Sequence, residues 1–173
     1  MTLPTSFRME RQKMDNWCWA AVAVSMARYS DRNSHWRQCE VVRLVLSRLS
    51  RKGAKKRPFP DCCAKPVPGE CDEPWNLEDA LEQVGRPARS SKAGHLSFEK
   101  IQAEIKVGRP LCAWIKWRGR GAHFVVVSGC HINRKRVPQV DVEDPDTGEA
   151  LVNYADFVRK YRGTGRWLHT YLV

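Results

Sequence analysis

The sequence predicts an α+β domain in which an N-terminal helical half packs against a C-terminal antiparallel β-sheet. Up to Pro110 the apolar residues recur mostly at helical spacing, whereas the later apolar runs are short and separated by turn residues. A set of helices followed by a set of strands is typical of this class. The length of 173 residues fits a single domain over residues 1–173, and the 42% apolar and 28% charged content argues against disorder.

The first two helices are predicted from their apolar spacing and from the polar residues that precede them. The first is a mostly apolar helix over residues 16–29, and Asp15 or Asn16 is available as its N-cap. The second covers residues 34–49, with apolar residues near helical spacing and Ser34 as its expected cap.

Three later helices and four strands complete the prediction. Asn76 with Asp79 resembles a capping pair, and Ser97 begins the following helix, which Gly108 ends. The remaining helices are predicted over residues 76–84, 97–107 and 154–161, and the strands over residues 111–117, 122–130, 137–143 and 166–173.

The chain is strongly basic, with 30 basic against 19 acidic residues and a net charge of +11. Such an excess permits a nucleic acid, an anionic surface or an acidic partner. The two basic clusters, residues 51–57 and 134–136, have no interleaved aromatic residues on which single-stranded nucleic acid would stack. We therefore predict no specific nucleic-acid binding and interpret both clusters as solvated loops or as a contact for an acidic partner.

The N-terminal residues have no recognisable targeting pattern. Residues 1–14 lack the apolar region of a secretory signal peptide, and no run of about 18 apolar residues would span a membrane. Because the first informative motif begins at Gln12, we expect residues 1–11 to be an extension or a trimmed linker.

A candidate nucleophile lies at the start of the first helix. The chain has seven cysteines, an odd number, so at least one thiol has no partner within the monomer. At Cys18 the helix dipole and free backbone N–H groups favour the nucleophilic thiolate. Gln12 precedes Cys18 by six residues, and its amide can donate with the Cys18 N–H to the oxygen of a tetrahedral intermediate. An inert, buried cysteine is the alternative interpretation.

A general base and a carboxylate partner are predicted on two of the strands. His123 lies at the beginning of a strongly apolar strand, and Asp144 ends the next one, on the face of residues 140 and 142. A carboxylate on an otherwise apolar face needs a partner, and His123 is the natural one. His131 and Asp146 are the alternatives if the strand register or the turn differs. The remaining histidines, interpreted as structural or solvated, are His35, His95 and His169.

Gln12, Cys18-Trp19, His123 and Asp144, in that chain order, resemble the papain-like cysteine proteases. The six-residue step from glutamine to cysteine and the tryptophan after the nucleophile are specific features of that fold. The phrases NWCWAA, AHFVVVSG and VEDPDTG are similar to two bacterial branches. These are the avirulence-type effector proteases of plant pathogens and the peptidases that remove double-glycine leaders from bacteriocins. The effector branch is the more similar, and the resemblance extends from Gln12 to the final strand.

The resemblance implies a papain-like fold and four catalytic roles. Cys18 attacks the substrate carbonyl as a thiolate, and His123 forms an ion pair with it and later protonates the leaving amine. Asp144 orients the imidazolium, in a position where papain itself has asparagine, and Gln12 helps to form the oxyanion hole. The family requires no metal and no organic cofactor.

The tryptophans divide into two groups. Trp17 and Trp19 flank the nucleophile, and we expect at least one of them to pack against the catalytic centre and to contact the substrate. The others, interpreted as core residues, are Trp36, Trp75, Trp114, Trp117 and Trp167.

The loop over residues 50–75 is rich in proline and basic residues and contains three cysteines, which indicates a covalent clip or a function. Disulfides between Cys39 and Cys62 or Cys63, and between Cys71 and the remaining one, are the favoured interpretation. A zinc site formed by His35, Cys39 and two loop cysteines is the alternative, although adjacent cysteines are poor zinc spacing. The last two cysteines, Cys112 and Cys130, are expected as buried thiols, with a bridge between them as the alternative.

The predicted function is a cysteine endopeptidase that acts on a protein substrate, as a bacterial effector or toxin that is secreted or delivered into a target cell. A cytoplasmic location is the alternative, and a cognate inhibitor or immunity protein is a candidate partner. The same cysteine, histidine and aspartate could also catalyse deamidation, transglutamination or cell-wall peptide hydrolysis, because each begins with thiolate attack on an amide. A basic, non-catalytic binding module is the rival from a different class.

Overall fold

The computed structural model describes residues 1–3, 6–52, 59–119 and 121–173. Its helices are α1 (Cys18–Ser30), α2 (Gln38–Lys52), α3 (Leu77–Gln83), α4 (Phe98–Lys106) and α5 (Tyr154–Lys160). Its strands are β1 (Ser90–Ala93), β2 (Leu111–Lys116), β3 (Ala122–Ile132), β4 (Pro138–Asp144), β5 (Gly148–Asn153) and β6 (Arg166–Leu172).

The strands form one six-stranded antiparallel sheet in the order β1-β6-β2-β3-β4-β5. In the helical half, α1, α2 and α3 pack on one another, and α1 also packs against the central strand β3. The N-terminal helices therefore meet the sheet at its middle, which confirms the predicted α+β class. No helix within the described ranges is both long and apolar enough to cross a membrane.

Helix α1 is buried on all sides over its first ten residues, from Cys18 to Ala27. Small and β-branched side chains allow the neighbouring elements to approach closely, and Val22 and Val24 are fully buried. Each such valine contributes roughly 1.5–3 kcal/mol by leaving water. The first residue of α1 is consequently held by a rigid, close-packed helix.

The predicted caps of α3 and α4 are present, whereas those of α1 and α2 are not. Asn76 accepts the Asp79 N–H at 2.9 Å, and Ser97 caps α4. The first helix starts at Cys18, with Trp17 as an N-cap that makes no side-chain hydrogen bond.

Helix α2 begins later than predicted, at Gln38 instead of Ser34. The Ser34 N–H donates to the Asp31 carbonyl at 2.9 Å, so Ser34 belongs to the turn that follows α1. The helix starts only where the Glu40 carboxylate accepts the Arg37 N–H, at 3.1 Å.

Strands β1 and β5 are absent from the sequence prediction. Both are edge strands of the sheet, and most of their residues are exposed or half-buried. An edge strand without a buried face shows no apolar alternation, so the pattern on which strand prediction depends is missing. The predicted strands correspond to β2, β3, β4 and β6 with small shifts at their ends.

The described part of residues 1–11, which the sequence suggested to be an extension or a trimmed linker, packs against the domain. Leu3 and Phe7 are buried in the main core, and Thr2 forms a β-bridge with Gly129. The Glu10 N–H donates to the Ser25 hydroxyl at 2.8 Å, which joins this segment to α1. Isolated apolar residues in an irregular segment have no period, so sequence reasoning could not place them.

The two basic clusters have different outcomes. Residues 134–136 lie in the exposed turn between β3 and β4, as expected of a solvated loop. The cluster over residues 51–57 lies outside the described side chains.

Candidate active site

Cys18 is the first residue of α1 and is 6% exposed. The turn before it is closed by the Trp17 N–H, which donates to the Met14 carbonyl at 3.2 Å. The N–H groups in the first turn of a helix have no intrahelical acceptor, so they are available to an anion in front of Cys18. The thiol thus lies where a developing negative charge is stabilised.

His123 and Asp144 meet across two adjacent strands. His123 is near the start of β3, Asp144 is the last residue of β4, and the His123 Nε2 lies 2.8 Å from the Asp144 Oδ1. The other ring nitrogen remains for Cys18, which is close enough to help raise the His123 pKa. The structure therefore brings Cys18, His123 and Asp144 together, with His123 hydrogen-bonded to Asp144.

The alternative base and carboxylate are engaged elsewhere. The His131 Nε2 lies 2.6 Å from the Asp141 Oδ2, in a separate pair. The Asp146 side chain is 56% exposed and faces Arg162 at 3.4 Å. Neither His131 nor Asp146 takes the place of its counterpart in the His123–Asp144 pair.

Asp144 is completely buried and accepts hydrogen bonds on both carboxylate oxygens. Its Oδ1 accepts the backbone N–H groups of Asp146, at 2.9 Å, and Thr147, at 3.3 Å, besides His123. Its Oδ2 accepts the Tyr161 hydroxyl at 2.9 Å and lies 3.4 Å from the Arg162 guanidinium. Burial alone would raise the Asp144 pKa, but the His123 bond and charge and these other donors hold it well below its usual range.

The protonation of His123 follows from the same contacts. Burial lowers the pKa of its imidazole, but hydrogen bonds and charge interactions with Asp144 and Cys18 outweigh burial and raise the pKa to about 9. The Trp117 ring lies with its centroid 6.4 Å from the His123 ring and 6.4 Å from the Tyr161 ring, so it covers the pair. At neutral pH the site therefore favours the protonated, imidazolium form of His123 beside Cys18.

Sequence reasoning missed Tyr161 and interpreted Trp117 as a core residue. Tyr161 follows the last residue of α5, and no motif surrounds it. Trp117 lies in the turn between β2 and β3, six residues before His123, and that proximity was the one available signal.

Gln12 lies beside the site, but its amide is already engaged. Its Nε2 donates to the carbonyls of Met14, at 3.1 Å, and Asp15, at 2.8 Å. Its backbone N–H donates at 2.8 Å to the carbonyl of Pro145, directly after Asp144. The Gln12 Oε1 is buried without a partner among the described residues. Its role in the oxyanion hole therefore stays a prediction, and one amide hydrogen would have to leave its carbonyl to fulfil it.

A cavity of about 400 Å³ opens beside the nucleophile. Trp19 is among the lining residues, but it is 0% exposed, and Trp17 is 1% exposed and donates through Nε1 to the Cys71 carbonyl at 2.7 Å. Both rings are enclosed, so the substrate contact expected of Trp17 and Trp19 stays a prediction. Further aromatic and proline side chains of the lining, of which Trp75 and Trp114 were interpreted as core, are Pro74, Trp75, Trp114 and Phe124.

The loop cysteines form two disulfides, Cys39–Cys63 and Cys62–Cys71. These bonds use the thiols that the zinc alternative required, so that alternative is wrong. Among the described residues no cluster of histidine, cysteine or carboxylate side chains could hold a metal ion. The remaining thiols of Cys18, Cys112 and Cys130 are free and buried, which leaves Cys112 and Cys130 without the bridge considered for them.

Comparisons with known proteins identify the family and the fold. Residues 1–162 match the family described as papain-like cysteine protease AvrRpt2. The peptidase domain of Streptococcus ComA, a bifunctional ABC transporter of a quorum-sensing pathway, is 15% identical with a TM-score of 0.57, over 97% of this chain and 98% of that chain. Two proform structures of the ragweed pollen cysteine protease Amb a 11 are 11% and 13% identical, with TM-scores of 0.45 and 0.46, over 100% of this chain and 66% of theirs. No curated protein sequence gives a significant match.

The family match extends over most of the chain, including the described part of residues 1–11. The likeness to the ComA peptidase domain shows a shared fold, and it confirms the papain-like architecture that the sequence predicted. The chain belongs to the AvrRpt2 family of papain-like cysteine proteases and is a hydrolase.

Proposed function

We propose that the chain is an endopeptidase that cleaves a protein substrate with Cys18, His123 and Asp144 as its catalytic triad. The observation that supports this assignment is the 2.8 Å hydrogen bond between His123 and the buried Asp144, together with the interaction between His123 and Cys18 that helps to raise the His123 pKa. A carboxylate with no exposure and donors on both oxygens cannot rotate freely, so it holds the imidazole in one orientation.

The reaction begins from the ion pair of the Cys18 thiolate and the His123 imidazolium, in which the thiol proton has already passed to the imidazole. The Cys18 Sγ attacks the carbonyl carbon of the scissile amide, and the carbonyl electron pair moves to oxygen. The tetrahedral intermediate expels the amine, which takes the proton from His123. Water, deprotonated by His123, then attacks the thioester and releases the acid product with the free thiol.

The oxyanion of the intermediate would form in front of the first turn of α1. The backbone N–H of Cys18 is one donor, and the helix dipole favours negative charge at this end. Gln12 supplies the second donor if its amide turns from the Met14 or Asp15 carbonyl toward the substrate. The Gln12→Ala variant, which removes this donor, should then lower kcat and leave KM nearly unchanged.

The aromatic cavity beside Cys18 is the site that we assign to a substrate side chain. Its lining by Trp19, Trp75 and Trp114 favours an apolar side chain close to the scissile bond. Membership of the AvrRpt2 family supports the further proposal that the protease is a bacterial effector delivered into a target cell.

The test compares the active chain with its Cys18→Ala variant on denatured and native proteomes of a target cell. New peptide termini that appear only with the active chain identify the scissile sequence and the substrate. Intact mass spectrometry of each substrate separates the reactions, because fragments mean proteolysis and a small mass change without scission means deamidation or transglutamination. Equal activity of the two proteins would overturn the assignment of Cys18.

A further inference from the structure

The segment of residues 71–73 is hydrogen-bonded to the residues around the nucleophile. Asp72 contributes twice, through its side chain and its backbone. Its Oδ1 accepts the Asn16 N–H at 2.8 Å, and its carbonyl accepts the Asn16 Nδ2 at 3.0 Å. Because Asn16 is two residues before Cys18, these bonds hold the turn from which α1 starts.

The two neighbours of Asp72 hold the tryptophans on either side of the nucleophile. The Trp17 Nε1 donates to the Cys71 carbonyl at 2.7 Å, and the Trp19 Nε1 donates to the Glu73 carbonyl at 3.0 Å. Three successive residues of the loop thus bind three residues within two positions of the thiol.

The same loop is fixed at its other side and continues into the substrate cavity. Cys71 is bonded to Cys62, and the adjacent Cys63 is bonded to Cys39 of α2. Residues 74–76 line the cavity opposite Cys18 and Trp19. The loop therefore links a covalently fixed point, the nucleophile turn and the wall of the cavity.

Among the described residues, no side chain of the N-cap position caps the start of α1. Its N-cap residue, Trp17, makes no capping hydrogen bond. A charged acceptor such as the Asp72 carboxylate forms a stronger hydrogen bond to a backbone N–H than a neutral one. Asn16 directly precedes the N-cap, so Asp72 restrains the chain where it enters the helix.

We propose that Asp72 is a positioning residue for the reaction. By holding Asn16, it sets the position of the Cys18 backbone N–H and Sγ relative to a substrate that lies against residues 74–76. The inference rests on the proposed role of Cys18, but it concerns alignment and not the formation of the ion pair. Loss of Asp72 should reduce turnover of a peptide without reducing the reactivity of the thiol toward a small reagent.

The experiment measures two rates for each of four proteins: the parent, Asp72→Ala, Asp72→Asn and Asp61→Ala. One rate is turnover of a peptide identified as a substrate, separated into kcat and KM, and the other is alkylation of Cys18 by iodoacetamide. Asp61 is the matched control, because it lies in the same loop and its Oδ1 accepts the Cys63 N–H at 2.9 Å, without contacting the nucleophile turn. Asp72→Asn keeps an oxygen that can accept the Asn16 N–H.

We expect Asp72→Ala to lower kcat by about tenfold or more, since small misplacements of reacting groups have effects of this size. Its alkylation rate should remain within about twofold of the parent, because iodoacetamide needs only the thiolate. Asp72→Asn should restore most of kcat, and Asp61→Ala should match the parent in both rates.

Equal kcat values for Asp72→Ala and Asp61→Ala would overturn the proposal. So would a parallel fall of turnover and alkylation, or a failure of Asp72→Asn to restore turnover. If Asp72→Ala does not fold, Asn16→Ala removes the side-chain bond alone and should lower kcat in the same direction by a smaller factor. Turnover by Cys18→Ala equal to that of the parent would instead refute the triad, so the two failures are distinguishable.

Discussion

Replacement of Asp144 by asparagine tests the electrostatics of the site directly. The pKa of His123 is raised from 6.5 to about 9, although burial opposes the charged ring. One pKa unit corresponds to about 1.4 kcal/mol, so the partners of His123 outweigh burial by roughly 3 kcal/mol. Asp144→Asn removes a full negative charge from this balance and leaves the burial in place. We expect the pKa of His123 to fall by about one to two units.

The assay is the pH dependence of kcat/KM on a peptide substrate, together with the pH dependence of Cys18 alkylation. The alkaline limb of both profiles reports loss of the His123 proton, because the ion pair disappears with it. The parent should lose activity near pH 9, and the variant about one to two pH units lower. At pH 8.5 the variant should therefore be slower by about 3-fold if the pKa falls by one unit and by about 25-fold if it falls by two.

Asp146→Asn is the matched control. Asp146 is two residues away and also faces Arg162, but its side chain is 56% exposed and does not contact His123. The alkaline limb of the pH profile of Asp146→Asn should coincide with that of the parent. An unchanged limb in a folded Asp144→Asn protein would refute the argument that Asp144 maintains the His123 proton.

Four further predictions concern the residues around this pair and the other thiols. Tyr161→Phe removes the hydroxyl that donates to the Asp144 Oδ2 at 2.9 Å, so kcat should fall by about tenfold at unchanged KM. The control is Tyr154→Phe, which loses a hydrogen bond to a backbone carbonyl remote from the site and should not change kcat. Native alkylation followed by intact mass spectrometry should add one label, on Cys18, and two more labels only after denaturation, because the other two free thiols are at most 1% exposed. Reduction of both disulfides should raise KM for a peptide with little change in the alkylation rate of Cys18; equal KM values before and after reduction would contradict the proposed link between loop and cavity. Because the folded pKa of His123, about 9, lies above its ordinary value of 6.5, its contribution to the free energy of unfolding is complete below pH 6.5 and is lost as the pH rises through 9; urea titrations of the parent and His123→Gln should converge over that interval.

The parts of the fold with a strong apolar period were predictable. The buried α1 and the central strands β2 and β3 have continuous or alternating apolar residues that indicate their type without reference to the rest of the chain. The edge strands β1 and β5 lack such a pattern because neighbouring elements bury little of their surface. Their pairing depends on backbone hydrogen bonds, which any side chain permits.

The same division applies to the site. Cys18 and His123 lie in local phrases that are specific to a reaction, and Asp144 follows from the two-residue period of its strand. Tyr161 reaches Asp144 from just beyond the end of α5, across 17 positions of sequence, and nothing near it in the chain indicates that contact. For Trp17 and Trp19, proximity in sequence to Cys18 suggested a substrate contact, but it could not indicate that the fold encloses both rings.

The location of the site at the boundary between the two halves explains why its supporting residues are distant in sequence. Cys18 belongs to the helical half, and His123 and Asp144 belong to the sheet. Their relative position therefore depends on the packing of one half against the other, and a shift of the helix start would change the distance between thiol and imidazole. Asp72 holds the helix side of this boundary through Asn16, and Tyr161 holds the sheet side through Asp144. Substitution of either residue should disturb alignment across the boundary more than the chemistry of the thiol itself, so the double variant should show coupling in kcat that single substitutions far from the boundary do not.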